Sequence, residues 1–591
     1  MKQFLITIAG VFVGLLLFFV AIPVLLIASA IGAASGKPEL PASTVLTLDL
    51  RETLTDQTSP NPFAAFGGSG LSVMEVITTL DAAERDDRVK ALFIRLPEGG
   101  MAPAAAEELR GAIHEFRRAG KRVVAHSQGF LPSGVVTSSY MLGAAADEFW
   151  MQDTASFQVT GIATEEVFLK GLFDRFGVVP DFQQRYEFKT AVNPYLQEGF
   201  TPEHRTSTLS WMSSVYDNAL AYAAADRKQP VGALRAALES GPLSAPEAQA
   251  RRLVDRLGQM EAAREQLLDR FGDDAETVEF NDYVRAADRD NDGPQIAVVE
   301  AEGAIITGTG GTDPFGSGGS IYSDDVAEAL YDAAEDDDVK AVVFRVSSPG
   351  GSDVASDQIL AAVMAVQKAN KPVVVSMGSY AASGGYWVSS KADAIVAQPS
   401  TLTGSIGVYG GKFAIGPALA RYGVNMESLE VGGDFSDAYT PARPFNQAER
   451  AEFAEQIDRT YQGFVARVAE GRKLPVERVA EIARGRVWTG AQARELRLVD
   501  EVGGFYQAVA VAKRLAKIDA DAEVDLRRYP GEKSPFEALG NLFGASADSI
   551  RTLAAAAWIM GDPRAEAVMD ELVETRLRAR GANVLEGARV D

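Results

Sequence analysis

Residues 4–31 carry no charged side chain and are almost wholly apolar. A helix of that length spans the hydrocarbon core of a bilayer with a little to spare. Lys2 and the amino terminus precede it, which favours a cytoplasmic N-terminus and puts the remaining chain across the membrane. The stretch is well beyond the ~7–15 residues of a signal-peptide core, so it predicts an uncleaved single-pass anchor over 1–34. Pro23 kinks such a helix without forbidding the span. Beyond the anchor the pattern changes to helix-like periods alternating with short apolar runs. It predicts a helix around 72–83, a strand over 91–96, a helix over 103–118 that begins on Pro103, and a strand over 122–125. Farther on it predicts strands over 342–346 and 373–375, with a helix over 353–368 between them. Alternation of this kind reads as α/β with largely parallel strands.

The same pattern is written twice. Asp81-Ala82-Ala83-Glu84 and Val89-Lys90-Ala91 recur as Asp332-Ala333-Ala334-Glu335 and Val339-Lys340-Ala341. Arg175-Phe176-Gly177-Val178 recurs as Arg421-Tyr422-Gly423-Val424, and Leu253-Val254-Asp255 as Leu498-Val499-Asp500. Separations of 251, 246 and 245 residues hold order and spacing across most of both halves, which chance similarity would not. The repeat predicts one unit over 44–285 and a second over 295–529. Between them lies the charged, glycine-containing stretch 286–294; segments 60–70 and 308–319 read as loops at matching places. A helix-like tail, 530–591, has no counterpart in the repeat.

Composition narrows the function. With 591 residues the chain exceeds one core, and a formal charge of −24 argues against nucleic acid as a partner and against anionic lipid head groups. There is no cysteine, so disulfides, thiolate nucleophiles and thiolate metal sites are excluded. Nothing in the pattern calls for a metal or a cofactor.

The chemistry concentrates around Ser383. An apolar run at Val373-Val374-Val375 gives way to small residues, predicting a tight turn over 378–385 and a helix from about 386. Gly384 and Gly385 remove the side chains that would keep a substrate carbonyl from the backbone amides, and free amides at a helix start are ready anion donors. Ser348-Pro349-Gly350-Gly351 follows the strand at 342–346, so an amide of Gly350 or Gly351 is a candidate second donor to an oxyanion. A serine nucleophile also needs a proton acceptor. The three histidines, His114, His126 and His204, lack any accompanying motif, and no Gly-x-Ser-x-Gly elbow surrounds Ser383. Lys189 lies among Phe188, Ala191, Val192, Pro194 and Tyr195, which can desolvate its amine and lower its pKa. When the halves are laid over each other, Ser383-Gly384-Gly385-Tyr386 falls on Thr137-Ser138-Ser139-Tyr140. No lysine occurs from 413 to 472, the region matching Lys189. Nucleophile and candidate base therefore survive in opposite halves.

Four stretches carry a family resemblance: Ser348-Pro349-Gly350-Gly351, Ala382-Ser383-Gly384-Gly385-Tyr386-Trp387, the run 399–407 (PSTLTGSIG), and Tyr186-Glu187-Phe188-Lys189-Thr190-Ala191. The chain resembles the long, duplicated form of the signal peptide peptidase A family, also called protease IV, of the Clp protease and crotonase superfamily. The match runs from the anchor to about Tyr529. The resemblance implies tandem Clp protease/crotonase-like domains of β-β-α superhelix units, with Ser383 as nucleophile, Lys189 as general base and Ser405 as a hydroxyl that positions the lysine. It further implies a homo-oligomer, a tetramer shaped as a bowl, in the bacterial inner membrane with its body on the periplasmic side. Residues 4–31 would contact lipid, and the substrates would be cleaved signal peptides and other unfolded apolar peptides. Two other readings stand beside this one: a catalytically silent membrane scaffold of the same fold, and a crotonase-like enzyme acting on acyl-coenzyme A.

Overall fold

The computed structural model describes residues 38–57, 70–287, 291–310 and 319–531. The expected anchor over 4–31 and all but the first two residues of the tail over 530–591 lie outside the described residues, as do most of both predicted loops. Among the described residues no helix is long and apolar enough to cross a membrane.

The two halves form two sheets of matching order. In the first half the strands run Arg256–Leu257, Glu148–Met151, Arg122–Ser127, Val89–Leu96, Ser43–Asp49, Ala275–Glu279, each neighbour parallel. In the second, Val373–Ala382, Val339–Ser348, Gln295–Glu302 and Asp525–Tyr529 repeat the Arg122–Ser127 to Ala275–Glu279 order. Ala394–Ala397 pairs on the far side of Val373–Ala382 and carries Glu501–Val502. Parallel strands covered on both faces are apolar throughout, which is why these segments show runs rather than strict alternation. Helices Val73–Arg85, Pro103–Arg118, Ser323–Glu335 and Asp353–Lys368 supply the cover. Their ends follow local signals: Ser72 and Ser352 accept the amides of Glu75 and Ala355, and Pro103 occupies the first turn.

One predicted feature is corrected. The strand that begins at Val373 does not end in a turn at Gly378 but continues to Ala382, and the following helix, Gly384–Ser389, starts earlier than residue 386. Tyr380, Ala381 and Ala382 find a new neighbour in Leu402–Gly404, which pairs in turn with the antiparallel strand Val487–Thr489. The small residues serve close packing here: a Cβ on Gly378 would stand 2.7 Å from the carboxylate of Asp56 in the first half.

The second sheet is where the halves meet. Along Val339–Ser348, Val342, Phe344 and Val346 face the second half's own core, while Ala341 and Val343 face a core shared with the first half. Period-two alternation places Arg345 on that shared face. Its guanidinium is fully buried and pairs with Asp56 at 2.5 Å and Glu108 at 2.8 Å, with Ser376 Oγ at 3.0 Å. Nearby, Glu107 accepts the amide of Ser400 at 2.9 Å and its hydroxyl at 2.6 Å.

A second junction pairs Val179–Arg185 of the first half antiparallel with Val408–Ala414 of the second, from Val408 opposite Arg185 to Ala414 opposite Val179. Phe182, Tyr195 and Phe413 pack across it with ring centroids 5.0–6.1 Å apart. Buried Asp181 fixes it further, accepting the Phe445 amide at 2.9 Å and pairing with Arg450. This ladder ends four residues before Lys189 and so delivers that lysine onto the second half.

Candidate active site

The turn after Val373–Ala382 determines where Ser383 points. Ser383 has φ 54° and ψ −117°, a left-handed conformation uncommon outside glycine. Backbone strain of this kind persists only where surrounding structure over-determines it. Here the Ser383 amide donates to Gly404 O at 2.9 Å, and its carbonyl receives the Trp387 amide at 2.9 Å. The hydroxyl is left facing Lys189.

Lys189 Nζ stands 3.0 Å from Ser383 Oγ, 3.0 Å from Ser405 Oγ and 3.0 Å from the Ser405 carbonyl oxygen. The lysine is 3 % exposed, and burial alone pushes its pKa down to about 7. A neutral amine has two N–H bonds and one lone pair. With Ser405 taking both hydrogens, the lone pair is free to receive the proton of Ser383. Once protonated, the ammonium has three donors for three acceptors already in place, so the pocket accommodates both states without rearrangement. Ser405 is itself left-handed, at φ 48°.

The predicted glycines lie beside this pair in different roles. Gly350 donates its amide to Ser348 Oγ at 3.1 Å, and its carbonyl accepts the Ile305 amide at 2.9 Å. Its contribution is close approach: a Cβ there would stand 2.7 Å from both Ser383 Cβ and the Gly384 nitrogen. Ser352 N donates to Ile305 O at 2.8 Å, so the parallel bridge between Ile305 and Gly351 engages the residues flanking Gly351 and turns the Gly351 amide the other way. That amide faces the serine turn, 3.1 Å from where a Gly384 Cβ would be. The Gly384 amide, at the first helical position, has no partner within its helix. Two amides thus converge beside Ser383.

The matching place in the first half is filled. Tyr140 and Tyr386 make the same bond in their halves, to Leu253 O at 3.2 Å and Leu498 O at 2.8 Å, so the register of the repeat holds here. Gly100, however, donates to Ser133 O at 2.8 Å, and a Cβ on it would stand 2.1 Å from the Val135 nitrogen. The longer link from strand Arg122–Ser127 to helix Val136–Ala144 thus packs against Gly99 and Gly100, the counterparts of Gly350 and Gly351, and takes up the Gly100 amide. The histidines lie elsewhere: His114 meets Asp226 at 3.0 Å, His204 meets Glu166 at 3.1 Å, and His126 Nε2 lies 3.1 Å from Gly258 O.

Sequence reasoning passed over the Ser405 carbonyl and the segment Arg484-Gly485-Arg486, which packs against Lys189. The carbonyl carries no signature in any sequence. Gly485 was visible only as a glycine between two arginines.

The model of peptidase family S49 matches residues 115–271 and 365–519, once in each half. Protease 4 of Haemophilus influenzae is 33 % identical over 479 residues, 77 % of this chain and 74 % of that protein. Protease 4 of Salmonella typhi is 31 % identical over 505 residues, 81 % of this chain and 79 % of that one. Among solved structures, a mutant of the 1510-N membrane-bound stomatin-specific protease in complex with a substrate peptide matches at a TM-score of 0.26 and 14 % identity. The match covers 43 % of this chain and 100 % of that one, a likeness too slight to carry weight.

Proposed function

The chain belongs to peptidase family S49 and is a serine peptidase of the protease IV type; from that premise we propose an endopeptidase whose catalytic dyad is Ser383 and Lys189. Neutral Lys189 takes the proton of Ser383 as Oγ attacks the scissile carbonyl carbon. The amides of Gly351 and Gly384 hold the resulting oxyanion. Collapse of the tetrahedral species breaks the C–N bond, and the ammonium of Lys189 protonates the leaving amine. Water, deprotonated by the same amine, then attacks the acyl carbon, and Ser383 Oγ leaves, taking the proton back from Lys189. Ser405 orients Lys189 through both its hydroxyl and its carbonyl. The observation that carries this reading is the buried 3.0 Å contact between the amine and Ser383 Oγ, with no competing carboxylate contact among the described residues.

The first unit, 44–285, supplies the base, and the second, 295–529, supplies the nucleophile, both of the Clp protease/crotonase type. Residues 4–31 anchor the chain once in the bacterial inner membrane with the body on the periplasmic side. That location suits cleaved signal peptides and other unfolded apolar peptides as substrates. Assembly with further copies is supported by the repeat itself. The counterparts of the paired strands Val179–Arg185 and Val408–Ala414 are segments 425–431 and 162–168; neither is in a strand, and 425–431 is exposed throughout. The deciding experiment is mass spectrometry after treatment with a serine-directed phosphonofluoridate. The adduct is expected on Ser383 in the wild type and absent from Lys189→Ala; an adduct on another serine refutes the assignment.

A further inference from the structure

Past the end of the ladder between Leu402–Gly404 and Val487–Thr489, the two chains stay together for two more residues. Ser405 N donates to Arg486 O at 2.8 Å, and Gly485 N donates to Ile406 O at 2.9 Å. The segment Arg484-Gly485-Arg486 therefore lies along the backbone of the residue that holds the Lys189 amine. Its other side lies against Lys189 itself. A Cβ on Gly485 would stand 2.5 Å from the Lys189 nitrogen, 2.5 Å from Lys189 Cβ and 2.6 Å from Lys189 Cα. Gly485 has φ 82° and Arg484 φ 54°, both left-handed, so the chain turns sharply at this contact. The flanking arginines continue the grip. The Arg484 guanidinium pairs with Glu187 at 2.7 Å, and that of Arg486 lies 5.3 Å from the Phe188 ring centroid.

We propose that Arg484-Gly485-Arg486 is a positioning strap for the base: Gly485 leaves the room in which the Lys189 backbone lies, while Arg484 and Arg486 hold the residues just before it. This rests on the dyad proposed above and adds to it. One short segment of the second half sets both the lysine, through direct backbone contact, and its acceptor Ser405, through the Arg486 carbonyl. Within the first half Lys189 itself belongs to no helix or strand; it lies between the end of strand Val179–Arg185 and the single-turn helix Thr190–Val192. The strap therefore decides whether Nζ reaches Ser383. A displacement of roughly 1 Å at a reacting group costs on the order of 100-fold in rate.

The test uses the full chain and an apolar fluorogenic peptide, with kcat, KM and pH profile measured for wild type, Gly485→Ala, Arg484→Ala and Lys189→Ala. Gly485→Ala is expected to keep its circular dichroism and KM, to lose on the order of 100-fold in kcat, and to show its rate-controlling ionisation at higher pH, because a displaced amine gains water. Arg484→Ala removes the Glu187 ion pair, in which the arginine side chain is about half exposed. It is expected to lower kcat about 2- to 5-fold, in keeping with such pairs, with KM unchanged and the ionisation moved in the same direction. If Gly485→Ala does not fold, Arg484→Ala decides alone. Wild-type kcat and ionisation in a folded Gly485→Ala, or in Arg484→Ala where the glycine variant is unfolded, overturn the strap. Turnover by Lys189→Ala overturns the dyad instead, so the two failures are told apart.

Discussion

Replacing Lys189 by methionine should abolish catalysis and yet make the protein more stable at neutral pH. The buried amine has its pKa pushed down from 10.5 to about 7 by desolvation, while in the unfolded chain it returns to its ordinary value. Between those two values the unfolded state binds a proton that the native state does not, so stability rises with pH across the window from about 7 to 10.5. Below it the native fold must protonate the lysine against desolvation. At 1.36 kcal/mol per unit the full difference is about 4–5 kcal/mol. Methionine fills a similar volume without titrating, at the loss of hydrogen bonds to Ser383 and Ser405 worth ~1 kcal/mol each. The urea-unfolding free energy of Lys189→Met should therefore exceed the wild type's by about 2–3 kcal/mol at pH 6, and the advantage should shrink by about 4–5 kcal/mol and change sign by about pH 10.5. The same depression sets the benefit to catalysis. At pH 7 about half of a pKa-7 amine is neutral, against roughly one part in 3,000 of an unperturbed lysine. Wild-type kcat/KM should accordingly rise with pH through an ionisation near 7. A stability difference between variant and wild type that stays constant from about pH 6 to 10.5 would refute the reasoning, as would an activity ionisation close to about 10.

Three further outcomes test the surrounding structure. Ser383→Ala should stay folded, its unfolding free energy lowered by no more than the ~1 kcal/mol of the lost bond from Lys189, while abolishing both peptide hydrolysis and covalent labelling; residual turnover above background would point to a different nucleophile. Ser405→Ala removes the hydroxyl acceptor of Lys189 but keeps the carbonyl, so kcat should fall by about 10-fold, the effect of one lost hydrogen bond of ~1.4 kcal/mol, with KM unaffected. Arg345→Met leaves Asp56 and Glu108 buried without their shared cation and should cost about 3–5 kcal/mol in urea unfolding. The triple variant Asp56→Asn/Glu108→Gln/Arg345→Met should recover most of that loss, and no recovery would mean that the arginine matters for packing rather than charge.

Elements whose own residues determine them were legible in the sequence. The helices Pro103–Arg118 and Asp353–Lys368 follow from an apolar stripe with a proline or serine at the start, and both ends match the pattern. Strands such as Val89–Leu96, Arg122–Ser127 and Val339–Ser348 extend past their apolar runs, because a run of valines signals a buried strand but not where its neighbours stop. The misjudged turn at 378–385 has a definite cause. Glycine, serine and alanine signal a turn when nothing else is known, yet here they are small because Asp56, a residue of the other half, approaches Gly378. The junction between the halves was invisible for the same reason. Val179–Arg185 contains a proline and no alternation, and Val408–Ala414 contains two adjacent glycines; each is a strand only because the other lies beside it. Lys189 stood out as a candidate only through comparison of the halves together with the family pattern in Tyr186-Glu187-Phe188-Lys189-Thr190-Ala191.

The division of the site between the halves has a structural consequence that neither half carries alone. Lys189 arrives from the first half, whereas both residues that touch its amine, and the segment beneath its backbone, come from the second. The proposed dyad therefore forms only when the halves are docked in register. Docking is policed by charge: a slip along Val339–Ser348 by one residue would turn Arg345 into the second half's apolar core and leave Asp56 and Glu108 facing a valine or a phenylalanine. Unpaired buried charges of that kind cost several kcal/mol each, far more than the loss of a few apolar contacts. The first half closes the matching ground with its own chain: a Cβ on Gly99 would stand 2.6 Å from Ser133 Oγ and one on Gly100 2.1 Å from the Val135 nitrogen, while the Gly100 amide is taken up by Ser133 O.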